Sequence, residues 1–532
     1  MPSEAGHPFS ESTADIYLCS SDDVLFRLHK IILTLASDFF RDMLSLPQPP
    51  SPSYPGSNNV SGPETVDGVP LLRVSEQSDV LDRLFRLCYP VDDPPLNSIH
   101  EVRTTLEAAM KYQMSEAAKI TKRHLLALAA TEPLRVYVLA CRFGLEEEAA
   151  AAAEQVVRQK AQEQYVEDLE DIPIGAYHRL RLFCERRSTR SRGVLKFTYA
   201  ASHRNGQDLP STAFNTPLVT TVTLPNEPTV PKAAPYPFDI PEAEVTVETS
   251  DGVEYRVLKA IIQLSSPILM AKLSALQPST PLRLSVPEHS RIFSILLQIC
   301  YPTSQPRLTD IFDISEALVA ATAYEMARPS QVLREALTAY KPRGLEDAFL
   351  LYAVACRFGM RELASTAAKH TLHAKIAVSS LPELDDLGIP GGTLFRLHEY
   401  HAQCRDAVQR VLATRDWIGA DMLQQLQNCC MQGYGRNGSM PCWFQPYMDG
   451  VCDSDRRWPK PEDARREEVL RRLLEPRTAC CTPHSAFVAM DLGRHLASRM
   501  EAAENAVSKA VLRVVAQYHS QADMTLGAAT NA

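Results

Sequence analysis

The chain has little of what marks a membrane protein, a secreted protein or an enzyme. No apolar run approaches the roughly 20 residues that a membrane-spanning helix needs; the longest, Ala348 to Cys356, has the length of a core helix segment. The opening Met1-Pro2-Ser3-Glu4-Ala5-Gly6-His7 lacks the basic start and apolar stretch of a secretory signal. Charge of one sign is not in large excess: 55 Lys and Arg face 64 Asp and Glu, a net −9. No nucleic acid and no membrane partner is therefore expected. The 13 cysteines contain no C-x-x-C pair. Without a signal they read as reduced thiols, mostly small buried hydrophobes, and the expected compartment is the cytosol or the nucleus. No Ser-His-Asp order, phosphate loop or paired acids stand out, so no catalytic residue, cofactor or metal is expected.

Four stretches come near to chemistry and fall short. Cys429, Cys430, Cys442, Cys452, Cys480, Cys481 and His484 crowd into 56 residues, but adjacent cysteines seldom ligate one tetrahedral zinc. Gly433-Tyr434-Gly435-Arg436-Asn437-Gly438 has dinucleotide-loop spacing. It lacks the preceding strand and following helix that such a loop requires, and reads as a plain loop. Cys141-Arg142-Phe143-Gly144 looks like a reactive-cysteine motif with no base placed beside it; a glycine just past a helix end explains it better. Arg179, Arg181, Arg186, Arg187, Arg190, Arg192 and Lys196 form a basic cluster that suits a nuclear localisation signal or phosphate-binding patch or, more commonly, a solvated helix end.

What the chain does have is a duplication. Val24 to Phe40 reappears as Val253 to Leu269, 229 residues on, with most positions keeping their chemical class. Ile16, Leu18, Val24, Phe26 and Leu28 alternate with less apolar residues around the turn cluster Ser20-Ser21-Asp22-Asp23. That is the period of a strand pair with one buried face. In the second copy Asp251-Gly252 separates the two runs, a strong hairpin signal. Both copies then switch to helical spacing, with Ser37 placed to cap a second helix and Ser266 preceding Pro267. A helical segment is duplicated too: Tyr137 to Leu145 matches Tyr352 to Met360, 215 residues on, and Ile172-Pro173 with Gly175 matches Ile389-Pro390 with Gly392.

Asp15, then Phe26-x-x-His29-Lys30-x-x-Leu33-x-x-x-Ser37-x-Phe39-Phe40, resembles the signature of the BTB/POZ domain. A short strand at Leu71 to Val74 and a helix ending in Cys88-Tyr89-Pro90 follow in that family's order. The second copy departs from the pattern at Leu258, where the family favours His, and at Glu244, where it favours Asp. Tandem divergent copies with this extension resemble fungal proteins of the family. The resemblance implies an α+β fold with two BTB/POZ-like units, each a helical cluster on a short sheet followed by a helical extension, and a mostly helical C-terminal tail. It also implies an interface at which an acid and a base form a charged pocket: Asp15 with Lys30 beside His29, and Glu244 with Lys259. An ordinary exposed ion pair at the hairpin end is the competing reading.

The expected domains are a disordered start at 1–13, a first unit at 14–127 with a flexible insertion at 47–68, and a helical extension at 128–187. A linker follows at 188–237, then a second unit at 238–340, its extension at 341–413, and a Cys-rich, partly helical tail at 414–532. Helical spacing from Phe487 to Val515 suits core packing or a partner, core packing being the commoner use of such a stripe. The function expected is a non-enzymatic scaffold for protein–protein interaction. What BTB domains do elsewhere implies partners among other proteins, possibilities being a cullin of a ubiquitin ligase, another copy, or the second unit of the same chain. The alternative is a transcription or chromatin regulator in the nucleus. A flexible linker of about 50 residues reaches on the order of 40 Å, enough to join domains of about 13 Å radius of gyration.

Overall fold

Alternation and turn chemistry build the first sheet. In the computed structural model, β2 (Ile16–Cys19) and β3 (Val24–Leu28) pair antiparallel, with Ile16 opposite Leu28 and Cys19 opposite Leu25. The described residues are 3–46, 65–66, 68–188, 196–198, 232–276, 282–372, 388–428, 440–452, 459–465 and 485–515. They form two compact units, residues 3–198 and residues 232–515. Ile16, Leu18, Phe26 and Leu28 turn to one face and join Leu33, Phe40, Leu81, Leu84 and Phe85 in the main core. The opposite face, expected to be open, is covered as well: Tyr17, Cys19 and Leu25 pack with Ala14 and Leu71 in a second, smaller cluster.

The start of the chain corrects the expectation of disorder. β1 (Ser3–Glu4) lies parallel to β3 at the sheet edge, and Phe9 is 0% exposed, its ring against Phe26, Phe85 and Tyr89. After β3 come α1 (Lys30–Ala36) and α2 (Asp38–Ser45), then β4 (Thr65–Val66) and β5 (Val69–Arg73). β5 pairs parallel with β2, so the sheet order is β1-β3-β2-β5-β4. Most of the insertion at 47–68 lies outside the described residues. α3 (Ser78–Arg86), α4 (Ile99–Lys111) and α5 (Ser115–Leu128) complete the cluster, α4 opening on a capping box between Ser98 and Glu101. The extension is α6 (Pro133–Arg142), α7 (Glu146–Gln159) and α8 (Ile174–Ser188).

Residues 232–515 repeat this order. β6 (Lys232–Ala233), within the stretch expected to be linker, runs parallel to β8 (Val253–Val257). β7 (Val245–Glu248) pairs antiparallel with β8, Val245 opposite Val257, the same register as Ile16 opposite Leu28. α9 (Lys259–Ser265) and α10 (Pro267–Ser274) follow, then β9 (Leu282–Ser285), parallel to β7. Gly252 takes the hairpin's left-handed turn at φ +72°; the first hairpin places Asp23 there at φ +57°. The sheet order is β6-β8-β7-β9, so among the described residues β9 has no outer neighbour corresponding to β4. Arg283 on β9 pairs with Glu254 on β8 at 2.8 Å.

α11 (Ser290–Cys300), α12 (Ile311–Ala323) and α13 (Ala327–Ala339) precede α14 (Leu345–Arg357), in which every residue from Ala348 to Cys356 is buried. That is the core role expected of the longest apolar run. α15 (Arg361–His370) and α16 (Gly391–Ala413) lead into the tail, α17 (Ala420–Gln427), α18 (Phe444–Cys452), α19 (Pro461–Arg465) and α20 (Ser485–Val515). The tail is not separate from the extension. Val408 of α16 shares one core with Trp417, Trp443, Tyr447, Leu492 and Leu496. Among the described residues no helix is long and apolar enough to cross a membrane.

Candidate functional site: the outer face of the first helix

Helical geometry presents α1 to solvent on one side. Leu33 is buried, and residues two positions away sit roughly 200° around the helix, on the opposite face. Ile31 and Leu35 fall there, one turn apart, at 64% and 81% exposure. In α9 the buried residue is Ile262 and Leu264 is 86% exposed, at the position corresponding to Leu35. Ile31 and Leu35 together make an exposed apolar patch, the kind of surface that marks a protein contact; in α9 Ala260 replaces Ile31 and Leu264 stands alone.

The predicted residues gather at the N-terminus of these helices. Asp15 Oδ1 accepts from the Lys30 backbone N–H at 2.7 Å, and Glu244 Oε2 accepts from the Lys259 N–H at 3.0 Å. Each carboxylate thus meets an unsatisfied amide of the helix's first turn. Among the described ion pairs, neither Asp15–Lys30 nor Glu244–Lys259 appears, so neither acid is bridged to its lysine's ammonium; the cap uses the main chain. The bond from Lys259 holds the Glu244 carboxyl below its ordinary pKa. His29 lies between Thr13 and Tyr89: Nε2 is 2.9 Å from Thr13 Oγ1 and Nδ1 is 3.2 Å from the Tyr89 hydroxyl. Tyr89 also accepts from the His29 backbone N–H at 3.0 Å, as Tyr301 does from Leu258. With Leu258 in place of His29, the second unit keeps the backbone bond and loses the imidazole contacts. Burial raises the Tyr89 hydroxyl's pKa.

The helix pair is fixed from behind. Ser37 Oγ accepts from the Phe40 N–H at 3.0 Å and donates to the Tyr112 carbonyl at 2.5 Å. Ser266 does the same with Leu269 and Tyr324, at 3.0 and 2.7 Å. Hairpin turns are tied to α3 and α11 in parallel fashion: Asp22 takes the Ser78 N–H and hydroxyl at 2.8 and 2.6 Å, and Asp251 takes those of Ser290 at 2.8 and 2.6 Å.

A second surface lies at the other side of α3. An open groove of about 680 Å³ is lined by Asp79, Asp82 and Arg86 of α3, by Asp92 and Asp93, and by Glu101. Leu96 is buried, and Glu101 is engaged by the backbone of Asn97 and Ser98. The groove mixes charge with apolar surface: Asp79 is bonded to Arg83 and Asp82 to Arg86, beside Ala5, Pro94 and Pro95.

The near-misses have structural roles or lie out of view. Gly144 and Gly359 close α6 and α14 at φ +66°; Cys356 is buried, whereas Cys141, Phe143 and Phe358 are only half-buried. Arg142 of that motif pairs with Asp171 at 2.7 Å and Glu107 at 3.3 Å. In the basic cluster Arg179 donates to the Phe197 carbonyl, Arg181 to that of Gln162, and Arg187 pairs with Glu154. Arg190 and Arg192 lie outside the described residues, as do Cys429, Cys430, Cys480, Cys481, His484 and the glycine loop 433–438. Among the described residues no three His, Cys, Asp or Glu are placed to hold a metal ion, and the nine cysteines are in the thiol form. Sequence reasoning missed Phe9, set in a polar stretch with no periodicity, and Phe197, where the short alternation Leu195-Lys196-Phe197-Thr198-Tyr199 was the available signal.

Residues 7–128 match the BTB/POZ domain family, so the first unit contains a BTB/POZ domain, a protein-interaction module. Comparison with curated proteins finds no match to the chain.

Proposed function

We propose that the chain is an interaction scaffold in which residues 232–340 form a second BTB/POZ-type domain, and that the two units pair through the outer faces of α1 and α9 within one chain. The carrying observation is the exposed Leu35 with its counterpart Leu264. Support for the second domain comes from the shared strand directions and register and from the repeated Ser37/Ser266 and Asp22/Asp251 ties. Burying one such leucine contributes about 1.5–3 kcal/mol, and a tether supplies an effective concentration of order millimolar. Multi-angle light scattering with small-angle X-ray scattering on the full chain tests it. A monomer mass is expected, with a larger radius at unchanged mass for Leu35→Arg or Leu264→Arg. A dimer that dissociates on Leu35→Arg alone assigns the face to pairing between chains and overturns the intramolecular reading.

As a substrate adaptor of the fungal tandem type, acting in the cytosol or nucleus, the chain would meet a cullin at the groove beside α3. The acids Asp92 and Asp93 favour a basic counterpart there. Titration of purified cullin against the full chain gives micromolar binding that Asp92→Lys/Asp93→Lys weakens; absence of binding removes the adaptor reading and leaves the scaffold. A regulator of chromatin finds less support, because three arginines of the basic cluster are spent on contacts within the unit.

A further inference from the structure

Three residues beyond α8, Lys196, Phe197 and Thr198, sit in the extension of the first unit like a bound peptide. The Phe197 ring is buried edge-on against Tyr137 of α6 and Phe183 of α8, with centroids 5.7 and 5.2 Å away. One carboxylate, that of Glu146 at the first position of α7, collects three donors. The Phe197 N–H reaches Oε1 at 2.8 Å, and the Thr198 N–H and hydroxyl reach Oε2 at 2.8 and 2.6 Å. From α8, Arg179 Nε donates to the Phe197 carbonyl at 2.9 Å. Partial burial pushes the Glu146 carboxyl up, but the bonds from Thr198 and Phe197 outweigh it and lower its pKa.

The main chain of the segment is read by a cation on one side and an anion on the other, an aromatic fills a pocket, and a hydroxyl completes the carboxylate's shell. None of these contacts depends on the segment being covalently attached. The pocket also distinguishes the two halves of the chain. At the position corresponding to Glu146 the repeat carries Arg361, which cannot accept such bonds, although Arg396 stands where Arg179 does.

We propose that the α6–α7–α8 pocket is a recognition site for an extended peptide with an aromatic residue followed by Thr or Ser, occupied in cis by residues 196–198 and open to a partner's segment of the same chemistry in trans. The cis copy sets the threshold. Held at an effective concentration of order millimolar, it excludes weak competitors and yields to a segment that binds more tightly or is presented more than once.

The test uses the full chain with Phe197→Ala/Thr198→Val and a fluorescein-labelled synthetic peptide of residues 194–200. Saturable binding is expected to the variant, at least about tenfold tighter than to the wild type, whose site is filled. Peptides with Phe197→Ala or with phosphothreonine at the Thr198 position bind the variant at least about tenfold more weakly, the latter because its charge faces Glu146. Adding Glu146→Lys to the variant weakens the parent peptide similarly. A second readout covers a variant that fails to fold: in the wild type, excess peptide speeds amide exchange at Phe197 and Thr198. No saturable binding at about 1 mM together with unchanged exchange overturns the proposal, as does equal binding of the Phe197→Ala peptide.

Discussion

A carboxylate at each hairpin turn ties a sheet to the helix that covers it, and both are held below the ordinary carboxylate pKa. The hydroxyl of Ser78, then that of Ser20, lower the Asp22 pKa to about 2. An unfolded aspartate titrates near 3.9, so the folded state holds its proton less tightly than the unfolded one. The stability contributed by this tie is therefore complete above about pH 4 and is lost as pH falls toward 2. Thermal melts between pH 5 and 2 should decline less steeply for Asp22→Asn than for the wild type, from a lower starting point; parallel curves would show that the tie does not contribute. Gly493 makes a different kind of demand. A Cβ there would lie 2.4 Å from the Ala464 carbonyl oxygen, a backbone atom that side-chain adjustment cannot move. Gly493→Ala should cost about 1–3 kcal/mol, read as a lower urea midpoint by the fluorescence of Trp417 and Trp443 in the same core.

At the scale of elements, periodicity carried most of the reading. Both hairpins, the helix pairs capped by Ser37 and Ser266, and the core run from Ala348 to Cys356 were legible because each is local and repeats its pattern over several residues. β1 and β6 were not, since two residues have no period and each pairs parallel with a strand about 20 residues away. The place of Phe197 was not legible for a related reason: its partners Tyr137 and Glu146 lie 51 or more residues upstream. The candidate site was half legible. The family resemblance singled out Asp15, Lys30, Glu244 and Lys259, but it could not show that the acids accept from backbone amides, nor that Leu35 and Leu264 face water. Each corner serine holds both a helix start and a distant carbonyl. Ser37→Ala and Ser266→Ala should thus each cost about 1–3 kcal/mol, combining a lost cap with an unsatisfied buried carbonyl. Urea denaturation measures it, and a change under about 0.5 kcal/mol, within ordinary surface noise, would contradict the double role.

At the scale of the whole molecule, two units with their own cores predict separable unfolding. Calorimetry should resolve at least two transitions, with Gly493→Ala shifting only the one that belongs to residues 232–515; a single transition displaced as a whole would mean the units unfold together. The sheets of those units also end differently. The first closes its edge with β4, whereas β9 has no outer strand among the described residues, and its Arg283 stands 64% exposed in a pair with Glu254. A row of unsatisfied amides and carbonyls is a template on which another chain can polymerise, and a charge planted there acts as a gatekeeper. Arg283 then belongs less to the thermodynamics of folding than to the colloidal life of the protein: replacing it with valine should leave the melting temperature nearly unchanged and shorten the time a concentrated solution stays clear.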